Sequence, residues 1–103
     1  MYLRSMYLYN ITIIAEDDIG EAVMQHLHAE LSGFGNTKSS LSLLELLDSP
    51  HEGTTLCVQL RCREKGDIVT FQTDRLAKIQ TDLSGKYPGK VVFFDSTMRY
   101  LND

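Results

Sequence analysis

The chain has 103 residues, of which 43% are hydrophobic, and it carries a formal net charge of −4 at pH 7. This length fits one domain with one core. The acidic balance argues against nucleic-acid binding, which draws its affinity from clustered Lys and Arg. No apolar run approaches the roughly 20 residues that a membrane-spanning helix needs, so we expect no membrane partner. Two cysteines that are expected to be reduced predict a cytoplasmic protein. Residues 1–5 are predicted to be an accessory lead, and residues 6–103 a single domain.

The first predicted elements are a strand and a helix. Tyr7 to Ile14 is rich in aromatic and β-branched residues, which predicts a strand. The acidic run at 16–18 ends this strand and suits the beginning of a helix, where unpaired backbone N–H groups favour negative charge. A helix is predicted over 18–31 because apolar residues recur at every fourth position. These residues are Ile19, Val23, Leu27 and Leu31.

Residues 38–48 predict a second strand with an irregularity. Leu41 and Leu43 alternate with serines, but Leu44 breaks the alternation. A β-bulge near Leu43 would explain the break, and a short helix over 41–47 is the alternative. The turn-forming residues at 48–53 predict a hairpin that leads into the next strand.

The stretch from Gly53 to Arg63 has the clearest strand pattern in the chain, because apolar residues occupy every second position from Leu56 onwards. Cys57 and Cys62 lie five residues apart on this strand. An odd spacing directs the two side chains to opposite faces. An intrachain disulfide between them is therefore excluded while the strand is formed, and both thiols are expected to be reduced.

A second helix over 67–83 and a last strand over 91–101 complete the pattern. The inward stripe of this helix is predicted to comprise Ile68, Gln72, Leu76, Ile79 and Leu83, with Val69 and Phe71 beside it. The order β-α-β-β-α-β predicts an α+β, ferredoxin-like fold with two helices on one face of a four-stranded antiparallel sheet. Right-handed crossovers place the first and third strands in the middle of that sheet.

Three stretches carry a resemblance to a known family: Tyr9 to Ile13, Gly53 to Leu60, and Gly89 to Phe94. They resemble the short bacterial proteins grouped as domain of unknown function family 4286, over about residues 6–101. The resemblance implies no established activity and no catalytic residue. The chain is also similar in outline to the dimeric α/β-barrel proteins, in which two such sheets pack face to face. That similarity implies a homodimer.

The sheet face turned away from the helices is predicted to mix polar and apolar side chains. A dimer interface with a wet, polar centre would explain such a face, and a small-molecule cavity between two sheets is the alternative. Arg61 would hold a carboxylate or phosphate in that cavity, although a salt bridge to Asp95 or Glu45 is the preferred interpretation. The candidate ligand-binding residues are Asn10, Thr12, Gln59, Arg61 and Asp95, and the neighbours expected on the same face are Leu8, Cys57, Val91, Phe93, Thr97 and Arg99.

No catalytic, metal-binding or cofactor-binding constellation is predicted. His26 and His28 lie about 200° apart around a helix, so they cannot share a metal. The acidic run at 16–18 lacks the spacing of a calcium-binding loop. The sequence therefore favours a homodimeric binding or regulatory module. The alternatives are a cofactor-free enzyme that acts on a small organic molecule in an inter-sheet cavity, and a subunit of a larger hetero-complex.

Overall fold

The computed structural model describes residues 5–34 and 39–102. It contains a four-stranded antiparallel sheet built from β1 (Tyr7–Ala15), β2 (Ser39–Leu46), β3 (Thr54–Cys62) and β4 (Val91–Arg99). The strands lie in the order β2-β3-β1-β4. The predicted ferredoxin-like arrangement is confirmed, with the first and third strands central. Of the predicted accessory lead, only Ser5 lies within the described residues.

The two central strands, β1 and β3, contribute most of the sheet residues in the core. Eight of their helix-facing residues are at most 2% exposed, because helices cover one face and neighbouring strands cover both edges. The burial alternates along β1 and, from Leu56 onwards, along β3, as expected when successive side chains point to opposite faces. The buried residues are Tyr9, Ile11, Ile13 and Ala15 of β1, with Leu56, Val58, Leu60 and Cys62 of β3.

Strand β2 corrects two predictions, because it has neither a bulge near Leu43 nor a helix over 41–47. Its pairing with β3 runs without interruption from Ser39 opposite Cys62 to Leu46 opposite Thr55. Leu41 and Leu43 pack against the core, whereas Leu44 lies on the other face of the sheet. The alternation fails in the sequence because both faces of this strand are apolar near its end.

The first helix begins with a 3₁₀ turn, Asp17–Ile19, and continues as α1, Gly20–Leu31. Its four predicted stripe residues are all buried. The 3₁₀ turn is tied to the residue that precedes β4, because the Lys90 Nζ lies 2.6 Å from the Asp18 Oδ2. This contact with the ammonium lowers the pKa of the Asp18 carboxyl. No helix among the described residues is both long and apolar enough to cross a membrane.

The second helical segment consists of α2 (Lys65–Phe71), a π-helical turn (Gln72–Leu76) and α3 (Ala77–Lys86). The π turn is marked by the Ala77 N–H, which bonds to the carbonyl oxygen five residues earlier. Phe71 is fully buried, with its ring edge-on to those of Tyr9 and Phe34. Val69, predicted beside the inward stripe, is instead 60% exposed.

Cys57 and Cys62 lie on opposite faces of β3 and are both free thiols. Cys62 is on the buried face, where loss of solvation raises the pKa of its thiol. Cys57 lies on the other face, opposite Thr12 and Leu44. The odd spacing of the two residues therefore predicted their placement correctly.

Candidate functional site

The candidate site is the sheet face that the helices leave open, which we call the open face. Strand pairing arranges its side chains in four rows, each with one residue from every strand. In the order β2, β3, β1, β4 the rows are Leu46, Thr55, Ile14, Val92; Leu44, Cys57, Thr12, Phe94; Ser42, Gln59, Asn10, Ser96; and Ser40, Arg61, Leu8, Met98.

Six of the eight residues in the first two rows of the open face are apolar, and we call these two rows the apolar half. Leu44 and Leu46 are 45% and 47% exposed on one edge strand, and Val92 and Phe94 are 47% and 57% exposed on the other. Ile14 lies between them on β1 and is half-buried. Isolated exposed apolar residues are ordinary, but a contiguous patch of this kind is typical of an interface.

The third row is polar in all four strands, and we call it the polar row. The Gln59 Nε2 donates a hydrogen bond of 3.2 Å to the Asn10 Oδ1. The Asn10 Nδ2 in turn donates to the Thr12 Oγ1 at 3.1 Å. The two amides are thus held in fixed orientations across the middle of the sheet. The structure therefore brings together three of the predicted ligand-binding residues, Asn10, Thr12 and Gln59.

Arg61 lies on the open face in the row next to the polar row. Its guanidinium carbon is 5.4 Å from the centre of the Tyr100 ring, in a cation–π contact. The predicted salt bridge to Asp95 or Glu45 is wrong. Both carboxylates belong to the helix-facing side of their strands, since Asp95 lies opposite Ile11 and Glu45 opposite Leu56.

The main correction to the predicted site concerns which residues of β4 lie on the open face. Five of its residues were expected on the open face, but pairing with β1 places all five on the helix-facing side. Each face of β4 begins with two apolar residues and then carries a polar one, so the sequence pattern does not distinguish the faces. The displaced residues are Val91, Phe93, Asp95, Thr97 and Arg99, and those on the open face are Val92, Phe94, Ser96 and Met98.

Asp95 takes part in a different polar group, on the helix side of the sheet. The Tyr9 hydroxyl donates a hydrogen bond of 2.5 Å to the Asp95 Oδ2 and accepts one of 3.2 Å from the Gln72 Nε2. Gln72 opens the π turn of the second helical segment. Burial of Tyr9, followed by its hydrogen bond to Asp95, raises the pKa of its phenol from 10.0 to about 12.

Titration of the tyrosines tests this environment. We expect one of the five tyrosines to ionise about two pH units later than an ordinary phenol. The folded-state pKa of Tyr9 lies above its unfolded value, so its contribution to stability is complete below pH 10 and is lost between about pH 10 and 12. Phenolate absorbance would follow the titration, and Tyr9→Phe should abolish the late phase. Ionisation of all five residues near pH 10 would contradict the prediction.

A shallow groove of about 410 Å³ lies beside the end of β4. The Lys65 Nζ sits 5.6 Å from the centre of the Tyr7 ring at this groove. Arg99 is paired with Tyr7 across the sheet and also lines the groove, so two cationic residues border it. The groove is lined by Tyr7, Lys65, Thr97, Met98, Arg99 and Leu101.

Several solved structures share this fold at low sequence identity. A protein of unknown function from Nitrosomonas europaea aligns with a TM-score of 0.62 at 12% identity, over 95% of this chain and 92% of that one. A candidate antibiotic biosynthesis monooxygenase from Caulobacter crescentus CB15 aligns with a TM-score of 0.60 at 13% identity, over 98% and 94%. A dimeric ferredoxin-like protein from an uncultured marine organism aligns with a TM-score of 0.58 at 11% identity, over 96% and 97%.

Sequence comparison gives one family. The family model described as a domain of unknown function, DUF4286, matches residues 6–101. No curated protein matches the sequence. At identities of 11–13% the structural similarities show a common fold, and a fold of this kind hosts many unrelated functions. Any functional inference therefore depends on the side chains of this chain.

Proposed function

Since the chain belongs to the DUF4286 family, whose description gives no activity, we propose from its own geometry that it is a homodimeric binding module. Two copies pair through their open faces and enclose the polar row between two sheets. The apolar half of the open face carries this proposal. We place the module in the cytoplasm, where both of its thiols would stay reduced.

The size of the open face suits a partner of the same shape. Four strands spaced about 4.8 Å apart, with four rows about 6.8 Å apart, cover roughly 500 Å² in projection. Protruding side chains raise the accessible area above this figure, towards the roughly 800 Å² per partner of a standard interface. A second open face would therefore cover the apolar half without leaving an edge of it in water.

Charge on the open face also favours a second copy. Arg61 is the one charged residue among its four rows, and it already contacts the Tyr100 ring. Two such faces bring no carboxylates together, so pairing incurs little charge repulsion. This near-absence of charge is typical of the centre of an interface, where charged residues are depleted.

The polar row supplies the binding role in this proposal. Between two apolar halves it would line a cavity with convergent amide and hydroxyl groups, which small-molecule sites use to fix a ligand's orientation. Asn10, Thr12 and Gln59 would donate to or accept from a neutral polar ligand. Arg61 at the neighbouring row would attract a carboxylate or phosphate. Asp95 lies outside this site because it is on the helix side.

Light scattering on purified protein from low to high micromolar concentration tests the pairing. We expect the wild-type chain to have twice the mass of one chain, and Phe94→Asp to be monomeric. The new carboxylate would lie within the apolar half, where burying an unpaired charge is costly. Val69→Asp is the matched control, because Val69 is 60% exposed on the helix surface, away from the sheet.

Two results would contradict this proposal. One is a wild-type chain that remains monomeric throughout the concentration range. The other is a dimer that Val69→Asp dissociates and Phe94→Asp does not. If the dimer forms, a ligand screen with wild type and Arg61→Ala tests the second half of the proposal. Equal binding of every anionic ligand by the two proteins would exclude Arg61 from the site.

A further inference from the structure

Four ionisable side chains meet between α1 and α3, on the helix side of the sheet. His26 and Glu30 are one turn apart on α1, and Lys78 and Asp82 are one turn apart on α3. Residues four apart on a helix point in the same direction. Each helix therefore presents two ionisable groups at the same place.

Lys78 links the two carboxylates of this group. Its Nζ lies 2.6 Å from the Glu30 Oε1 and 2.9 Å from the Asp82 Oδ2. The ammonium thus occupies a position between two anionic oxygens, where a cation is favoured. Lys78 is also 56% exposed, so its long side chain has room to swing into solvent.

His26 supplies a nitrogen donor at the same point. Its Nε2 is buried and has no hydrogen-bond partner in the described part of the chain. The nearest carboxylate oxygen, Asp82 Oδ2, is 3.6 Å away, which is beyond hydrogen-bond length. Buried polar atoms nearly always have a partner. An unpartnered imidazole nitrogen that faces two carboxylates is therefore unusual and is arranged as a ligand would be.

We propose that His26, Glu30 and Asp82 form a divalent metal site of the zinc type, for which Lys78 is a built-in competitor. The three ligand atoms lie within 4.8 Å of one another. Tetrahedral zinc, with bonds of about 2.1 Å, needs ligand atoms roughly 3.4 Å apart. Shifts of about 1 Å in the side chains would close the site. A water molecule would fill the fourth position.

The ligand types select the class of metal. One imidazole nitrogen and two carboxylate oxygens suit zinc and its neighbours, cobalt and nickel. Calcium and magnesium prefer sites composed of oxygen alone. Because the ligands come from two helices, a bound ion would clamp α1 to α3. Metal binding would then raise the unfolding temperature, since a ligand that binds only the folded state stabilises it.

Calorimetric titration of the tag-free 103-residue chain with Zn²⁺, after treatment with a chelator, tests the site. We expect one ion per chain in the wild type. Lys78→Met should bind roughly tenfold more tightly, because it removes the competing charge and keeps the alkyl chain. His26→Gln and Glu30→Gln should each lose the binding. Co²⁺ in place of Zn²⁺ would report coordination through its visible absorption.

His28→Gln is the matched control, because His28 lies on the same helix two residues away and is exposed to solvent. It should bind Zn²⁺ as the wild type does. Zn²⁺ should also raise the unfolding temperature of Lys78→Met by several degrees more than that of the wild type. The proposal is overturned if the wild type shows no saturable binding at a hundredfold excess of Zn²⁺, or if binding is lost in His28→Gln and retained in His26→Gln. Circular dichroism would confirm that each variant is folded.

Discussion

Replacing Phe71 with Ala is expected to lower the free energy of unfolding by about 3–5 kcal/mol. Phe71 is fully buried, and its ring is 5.1 Å from that of Phe34 and 6.4 Å from that of Tyr9, both edge-on. Truncation would leave a cavity where the helix layer meets the sheet and remove both aromatic contacts. A domain of this size is stable by about 5–15 kcal/mol, so urea denaturation should show a much earlier midpoint.

Val69→Ala is the control for this experiment. Val69 lies two residues away on α2 and is 60% exposed. Its truncation leaves no cavity, so we expect a change within about 0.5 kcal/mol. Similar losses in the two variants would mean that the helix is rotated from the orientation described above, with Phe71 no longer facing the sheet.

Gly53→Ala should be the second severe change, with a loss of about 2–4 kcal/mol. Gly53 precedes β3 and has a φ of +94°, a conformation that side chains disfavour. A Cβ at this position would also collide with the carbonyl oxygen of Ala15, which is rigid backbone in β1. For a domain of this size, we expect the unfolding temperature to fall by roughly 10–20 °C.

Two other glycines separate the causes of this loss. Gly89 has a φ of +75° but open space around the position of a Cβ. Gly89→Ala therefore measures only the free-energy cost of a positive φ. Gly85 lies within α3, where a Cβ also meets nothing. Gly85→Ala should therefore stabilise the helix by about 0.5–1 kcal/mol. If Gly89→Ala lowered the free energy of unfolding as much as Gly53→Ala, the collision with the Ala15 carbonyl oxygen would not explain the loss at Gly53.

Hydrophobic periodicity was sufficient to predict the element order and the central strands. Leu56, Val58 and Leu60 repeat at every second position, and Ile19, Val23 and Leu27 at every fourth. All six are buried at the predicted positions. These elements are covered on one side only, so their apolar residues indicate where the core is.

The pattern failed where an element is apolar on both sides. In β4, Val91 and Val92 are equally apolar, and so are Phe93 and Phe94. Alternation then divides the residues into two sets but does not say which set faces the helices. In β2 the same property of Leu43 and Leu44 suggested a bulge. The second apolar face of each edge strand belongs to the open face, which a single chain leaves uncovered.

The candidate site was predictable only in part, because its residues come from distant parts of the chain. Asn10 and Gln59 are brought into contact by the register of β1 and β3, and this register follows from the burial of both strands. The cluster of His26 and Asp82 depends on how α1 and α3 pack. Helix packing angles and distances depend on side-chain shape at the contact, so sequence spacing gives no signal of it.

The π turn at Gln72–Leu76 determines how α3 is rotated relative to α2 about the axis of the second helical segment. A π turn accommodates one residue more than an α-helical turn does, and one residue corresponds to about 100° of rotation. In an uninterrupted α-helix, Phe71 would lie well to one side of the line through Ile79 and Leu83. The wider turn rotates α3 relative to α2, so that all three residues face the sheet. The length of this turn, rather than its composition, therefore determines which side chains of α3 reach the core.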